Sequence, residues 1–147
     1  MKIDETSIAI CKHLRDGRKS FKKIADELKV SENTVRARVN KLVEEGILDI
    51  AGLVDPEAIP GHHTALIGVK LDTMELVAKG KEFARLKGVV SVSVVTGRFD
   101  LILMVLLKED FGLLEFFTQE VSKIEQVQSV ESFVVYKGYN LKVPYIL

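Results

Sequence analysis

The chain has 147 residues, 47% of them hydrophobic, with 21 Lys+Arg balanced by 21 Asp+Glu. That length suits one large soluble domain or two small ones, and the single cysteine, Cys11, excludes an intrachain disulfide and any multi-cysteine zinc site. The opening MKIDETSIAICK holds no apolar run of signal-peptide length, and LILMVLL falls far short of the roughly 20 residues of a membrane span. A cytoplasmic protein is therefore expected. Charge is slightly uneven: residues 1–50 carry 11 Lys+Arg against 9 Asp+Glu, residues 51–147 carry 10 against 12. Any nucleic-acid role would fall to the cationic first part.

The first third reads as three helices. Ile3, Ile10, Cys11 and Leu14 form a helical stripe that should end at Asp16-Gly17, where glycine can supply a left-handed cap. Ser20 begins a second helix with Ile24, Ala25 and Leu28 inward. Ser31 is a good N-cap for a third, because its hydroxyl can accept from a free amide of the first turn. This helix should run to Glu45 and stop at Gly46. Ile47 to Val54 alternates loosely enough for a strand or wing, after which Pro56 and Pro60 forbid regular structure. Expected domains are therefore a helix-turn-helix domain over 1–50, a linker strand or hinge over 51–61, and a second domain over 62–147.

From His62 the pattern becomes strand and helix in alternation. Thr64 to Asp72 alternates, with Ala65, Ile67, Val69 and Leu71 on one face. Leu76, Val77, Gly80, Phe83 and Ala84 recur at helical spacing. Val89 to Thr96 is valine-rich and favours a strand, TGRFD is a turn, and Leu101 to Leu107 is continuously apolar. Asp110 can cap a helix carrying Phe111, Leu114, Phe117, Val121 and Ile124, and Val127 to Tyr139 returns as a long strand. The order βαββαβ predicts a ferredoxin-like α+β domain, with a four-stranded antiparallel sheet and both helices on one face. Two helices cover one face only, whereas Leu101 to Leu107 is apolar on both. The uncovered face is expected to meet a second copy of the chain by two-fold symmetry.

At ~100° per residue from Ser31, Val35, Val39, Leu42 and Val43 cluster on one side of the third helix. Opposite lie Asn33, Ala37 and Lys41, with Thr34 and Asn40 near them and Arg36 and Arg38 on the flanks. Short polar groups between cations suit a major groove, where the helix can approach base edges while arginines reach phosphates. Lys19, Lys22 and Lys23 could touch the DNA backbone from the preceding helix. The plainer reading is a solvated face of an amphipathic helix; the three-helix context favours DNA.

Helix-turn-helix IADELKVSENTVRARVNKLVEEGIL, the apolar strand followed by DP, and a βαββαβ domain containing TGRFDLIL resemble the Lrp/AsnC, or feast/famine, family of prokaryotic transcriptional regulators across essentially the whole chain. The resemblance implies a DNA-binding winged helix-turn-helix and a regulatory domain that dimerises through its sheet, often assembling into tetramers, octamers or discs. It also implies an amino acid or related metabolite bound between regulatory domains near the turn Thr96, Gly97, Arg98, Phe99 and Asp100. Physically, exposed amides can hold a carboxylate and an aspartate can receive an ammonium group; an ordinary hairpin turn is the alternative. The DNA-binding residues expected are Lys19, Lys22, Ser31, Asn33, Thr34, Arg36, Arg38 and Lys41. Arg38→Ala is expected to weaken binding and flatten its salt dependence. Two features depart from the family pattern: Arg98, where relatives commonly carry an acid, and Lys29, where the turn commonly has glycine.

No cofactor or metal is expected, since His62 and His63 are adjacent and His13 lies in the other domain. No phosphate loop, nucleophile elbow or metalloprotease helix is present, and enzymatic activity is not expected. The alternative within DNA binding is an effector-independent architectural protein, against which the weak net charge argues.

Overall fold

The computed structural model of the protein describes residues 3–147; Met1 and Lys2, at the start of the expected first domain, lie outside them. Helix α1 spans Glu5–His13, started by the Asp4 carboxylate accepting from the Ser7 amide at 2.8 Å. Its end is not at a glycine cap. Leu14 closes the helix, and the Arg15 and Asp16 amides donate to Lys12 and His13 carbonyls. Those tight bonds satisfy the last carbonyls without a left-handed residue, and Gly17 keeps an ordinary φ. Helix α2 (Phe21–Leu28) starts at Ser20, whose hydroxyl accepts from Lys23, and ends at Lys29 in the left-handed region, φ 56°. Helix α3 (Glu32–Glu44) starts at Ser31 as expected, and Gly46 at φ 68° turns the chain away after it.

Ile10, Ile24, Ala25, Val35 and Val39 form the core of this first unit, with Leu14, Phe21, Leu28, Val30 and Leu48 packed around them. Full burial of each branched aliphatic side chain stabilises the unit by roughly 1.5–3 kcal/mol. Leu42 is also fully buried, but Val43 is 43% exposed and does not belong to the stripe. The wing is not formed as paired strands: residues 47–52 have no strand structure, and only Leu53–Val54, strand β1, follows.

The chain divides into two compact units, the second beginning at Leu53. Most of the stretch expected as a linker is therefore part of the second unit. Strand β1 pairs antiparallel with β6 (Val143–Pro144), and a single 3-10 turn over Pro56–Ala58 starts from the Asp55 carboxylate, which accepts from Glu57. Two ion pairs fasten the same segment, Lys142 to Asp55 at 2.9 Å and Lys137 to Glu57 at 2.7 Å.

The main sheet contains β2 (His63–Leu71), β3 (Val89–Val94), β4 (Leu101–Leu107) and β5 (Val127–Val134) in the order β3-β4-β2-β5, all neighbours antiparallel. This is the ferredoxin-like order. Ala65, Ile67 and Val69 face Val105, Leu103 and Leu101 in register, all fully buried under the helices. Helix α4 spans Leu76–Phe83 and buries Gly80 and Phe83; Val77, expected inward, is 65% exposed.

The second covering helix differs from expectation. Asp110 does not cap it but pairs with Lys108, and Gly112 takes the capping position, its amide donating to Glu115. Phe111 precedes the helix and bridges back to Lys108. α5 (Leu113–Glu115) passes directly into a π turn, Phe116–Glu120, and a 3-10 turn, Val121–Lys123. Because the Val121 amide reaches back to the Phe116 carbonyl five residues earlier, the apolar face is reset. Phe116 is fully buried, Phe117 is partly buried against the same core, and Leu114 is left 70% exposed. Strand β5 stops at Val134, so Tyr136 and Tyr139, expected in a strand, lie beyond it and are exposed.

Candidate functional site

The first candidate site is the outward side of α3. Val35, Val39 and Leu42 point into the core, so Asn33, Ala37, Asn40 and Lys41 are all exposed. Ser31 serves the helix start, its hydroxyl accepting from the Thr34 amide at 3.0 Å and bonding the Thr34 hydroxyl at 2.7 Å. Arg36 pairs with Glu32 one turn earlier at 2.8 Å and lies 5.3 Å over the Phe21 ring. Its guanidinium is held on the α2 side of the face while remaining half-exposed.

Arg38 does not flank the outward face. Its Nη1 donates to both carboxylate oxygens of Asp4 at 2.6 Å and to the Ser7 hydroxyl at 3.1 Å, tying α3 to the start of α1. These bonds hold the Asp4 carboxyl down at about 2, the Arg38 hydrogen bond being the largest cause. Lys19 is also committed: its ammonium donates to His13 Nδ1 at 2.7 Å and to Glu27 at 2.9 Å, and its side chain is only 15% exposed. The Lys19 bond is the main reason that the Glu27 carboxyl is lowered. Lys22 and Lys23 remain exposed on α2. The face presented to solvent is thus Asn33, Thr34, Arg36, Ala37 and Lys41, with Lys22 beside it on the neighbouring helix.

The second candidate site is the turn between β3 and β4. Gly97, at φ 116°, permits the reversal and is exposed together with Thr96 and Arg98. Asp100 is not a free acceptor for an ammonium group. Its carboxylate accepts from the Leu71 amide at 2.8 Å and from Lys70 at 3.2 Å, and its amide donates to the Val69 carbonyl. The Leu71 bond is the chief cause of its lowered pKa. Asp100 therefore stitches the turn to β2. Phe99 folds back over Gly68, where a Cβ would lie 2.6 Å from the ring, and meets Phe133 edge-on at 6.3 Å between centroids. Arg98 reaches Glu131 on β5 at 3.0 Å. Gly68, Glu131 and Phe133 are distant in sequence from TGRFD, and no local signal marks them as its neighbours.

A model of the Lrp/AsnC ligand-binding domain matches residues 64–142, and a helix-turn-helix model matches residues 3–51. The chain belongs to the Lrp/AsnC family. An HTH-type transcriptional regulator of Pyrococcus horikoshii, PH0140, is 32% identical over 92% of this chain and 87% of its own length. Among solved structures, Escherichia coli AsnC superposes with a TM-score of 0.70 at 22% identity, covering 96% of this chain and 97% of that one. The Neisseria meningitidis regulator NMB0573, solved in complex with L-Met, gives 0.70 at 22% identity over 99% and 96%. Identities at that level establish the shared fold. This Lrp/AsnC protein is accordingly a helix-turn-helix transcriptional regulator with a ligand-binding domain, in a family of regulators rather than enzymes. No helix among its described residues is long and apolar enough to cross a membrane.

Proposed function

We propose that this Lrp/AsnC regulator works in the cytoplasm as a homodimer or larger assembly, binds specific duplex sites through α3, and responds to an amino acid or related metabolite at its C-terminal unit. The observation that carries the DNA reading is the division of α3. Its buried side is used by the core, while Asn33, Ala37 and Lys41 project outward, their side chains making no hydrogen bond or ion pair among the described residues. Asn33 has the paired donor and acceptor that match adenine, Ala37 lets the backbone come close, and Arg36 and Lys41 supply positive charge. Lys22 adds a phosphate contact. Arg38, through Asp4 and Ser7, and Lys19, through His13 and Glu27, fix the helices that present the face.

Effector binding is supported by the family of the C-terminal domain and by the L-Met complex of the neisserial relative. At the turn, the exposed Gly97 backbone, the Thr96 hydroxyl and the Arg98 guanidinium offer groups for a carboxylate; no separate cofactor is required for either role.

The test is selection of bound genomic fragments, followed by titration of a selected site against random DNA. Asn33→Ala should cost about 1–3 kcal/mol of discrimination at one base position. Lys41→Ala should weaken all sequences alike and reduce the salt slope by about one. Equal affinity for selected and random DNA would leave an architectural binder instead. Repeating the titration with pooled amino acids reads the effector response, which requires differential affinity for two states of the assembly.

A further inference from the structure

Strand β3 is an edge of the main sheet, and the direction of its backbone groups follows from the hydrogen bonds around it. The Val95 amide donates to the Asp100 carbonyl and the Leu106 amide to the Gly88 carbonyl, while across the sheet the Val135 amide donates to the Thr64 carbonyl. Continued through the antiparallel register, this alternation turns the backbone of Ser91 and Ser93 toward β4 and that of Val92 and Val94 away from it. The amides and carbonyls of Val92 and Val94 therefore face the open edge, where no strand among the described residues pairs with them. Sheet edges are commonly blunted by charge or proline. The other edge, β5, carries Glu131, whereas VVSVSV of β3 carries neither. The one irregularity of β3, between Val89 and Ser91, lies ahead of the exposed pair.

The side chains of the same two valines add a groove. Val92 and Val94 lie opposite Leu103 and Leu101 on the helix side of the sheet, and with Val77, Gly80, Lys81 and Ala84 of α4 they line a space of about 280 Å³. Val77 and Val94 are 65% and 48% exposed, so apolar surface stands open on both walls. Gly80 deepens the floor: a Cβ there would lie 3.5 Å from Val94. The volume falls below the roughly 300–1,000 Å³ of pockets that enclose a ligand. It suits a groove that receives side chains while their main chain stays outside, on β3. No carboxylate lines it. Lys81 does, and Arg85 follows one helical turn later; both are exposed, and neither side chain makes a hydrogen bond or ion pair among the described residues.

We infer that the β3 edge and the α4 groove together bind an extended acidic peptide segment of a partner protein by strand addition. The Val92 and Val94 backbone holds the main chain, and because strand side chains alternate, peptide residues two apart enter the groove. Small aliphatic side chains fit there, and an aspartate or glutamate two residues further along the same side meets Lys81 and Arg85. A second copy of this chain does not fit: two-fold pairing of β3 with itself would set Lys81 and Arg85 against the same cations. The surface shares no residue with the 96–100 turn or with α3, so it serves an interaction beyond effector and DNA binding.

The experiment is selection of random octapeptides displayed on phage against the full-length protein, followed by fluorescence anisotropy with the synthetic winners. Winners should carry small aliphatic residues at alternate positions, with an aspartate or glutamate on the same side. N-methylation of the peptide backbone should reduce affinity by about tenfold or more at every second residue, where the amide faces β3, and have little effect at the residues between. Lys81→Glu, at an exposed position, should cost about tenfold and be rescued when the peptide's acid is replaced by lysine. A merely structural role for Lys81 would give no such rescue. Gly80→Ala introduces only ordinary van der Waals contacts and replaces a glycine inside a helix, so the fold should be retained while the shallower floor weakens binding. An absence of enriched peptides overturns the inference, as does N-methylation that acts without a two-residue period, or affinity unchanged in both Lys81→Glu and Gly80→Ala. Dissociation of the wild-type assembly by Lys81→Glu with no peptide effect also overturns it, and would make this edge a contact between copies.

Discussion

Asp4 and Arg38 stand 34 positions apart, and their bond does two jobs: the carboxylate starts α1, and the guanidinium holds that start against α3. Asparagine is also a good N-cap, so Asp4→Asn removes the charge while preserving the cap. Asp4 is at about 2 in the folded protein against an ordinary 3.8. A depressed carboxyl pKa contributes stability that is complete above 3.8 and disappears as pH falls through about 2. The melting temperature of wild type should therefore exceed that of Asp4→Asn by a constant margin from pH 5 to 7, and the margin should close between pH 4 and 2. Circular dichroism melts across that range measure it; a margin independent of pH would assign the bond no electrostatic role. Arg38→Ala should also lower the melting temperature, yet leave the salt slope of DNA binding unchanged. A helical projection puts the Arg38 Cβ at the edge of the outward face, but it cannot say where a long side chain ends. That is why the bond from Arg38 to Asp4 is not legible in the sequence.

Among the elements, the turn joining α2 to α3 sets the angle at which the exposed face is presented. It is built on Lys29 at φ 56°, where an L-residue with a side chain is strained by roughly 1–2 kcal/mol and glycine is not. Lys29→Gly should raise stability to chemical denaturation by up to about 1 kcal/mol, since glycine's greater unfolded-state entropy offsets part of the relief. The Ala25 carbonyl accepts from the Val30 amide across this turn, so its geometry should survive the change. Caps and periodicity made this region readable: Ser20 and Ser31 start their helices, and Ile24, Val35 and Val39 are buried as spacing requires. Strands β2 and β4 were legible for the same reason, because alternation and continuous apolarity survive in the folded sheet. The α5 region was not. A π turn adds one residue to the repeat, and nothing local in FFTQE announces it, so a 3.6-residue stripe includes Leu114, which is exposed, and misses Phe116, which is fully buried beside Phe117. The candidate effector turn was legible as a turn, but Asp100's bonds to β2 depend on strand pairing that sequence spacing does not express.

For the whole molecule, the deciding feature is the sheet face that the helices leave open. Leu66 lies opposite Met104 and Gly68 opposite Ile102 in the β2–β4 register, while Phe99 and Phe133 extend the same apolar side. Leu66, Ile102 and Met104 are only partly buried within one chain, and Phe133 is 46% exposed. A second copy packed on this face would remove that surface from water and make the two DNA-binding units symmetric, with half-sites about one helical turn apart, ~34 Å, or a multiple of it. Met104→Lys places an unpaired charge at the centre of the face. Burying it against a partner costs several kcal/mol, whereas in the lone chain the ammonium can reach solvent, so the subunit should stay folded. Sedimentation should show dissociation to monomers, with little change in the far-ultraviolet spectrum. Affinity for a single half-site should stay close to wild type, because α3 is untouched. On the full palindrome, losing the second, intramolecular binding event should reduce affinity by about 10²–10⁴. Persistence of the assembly in Met104→Lys would move the interface off this face, and equal losses on half and full sites would mean that the substitution had damaged the reading head rather than the pairing.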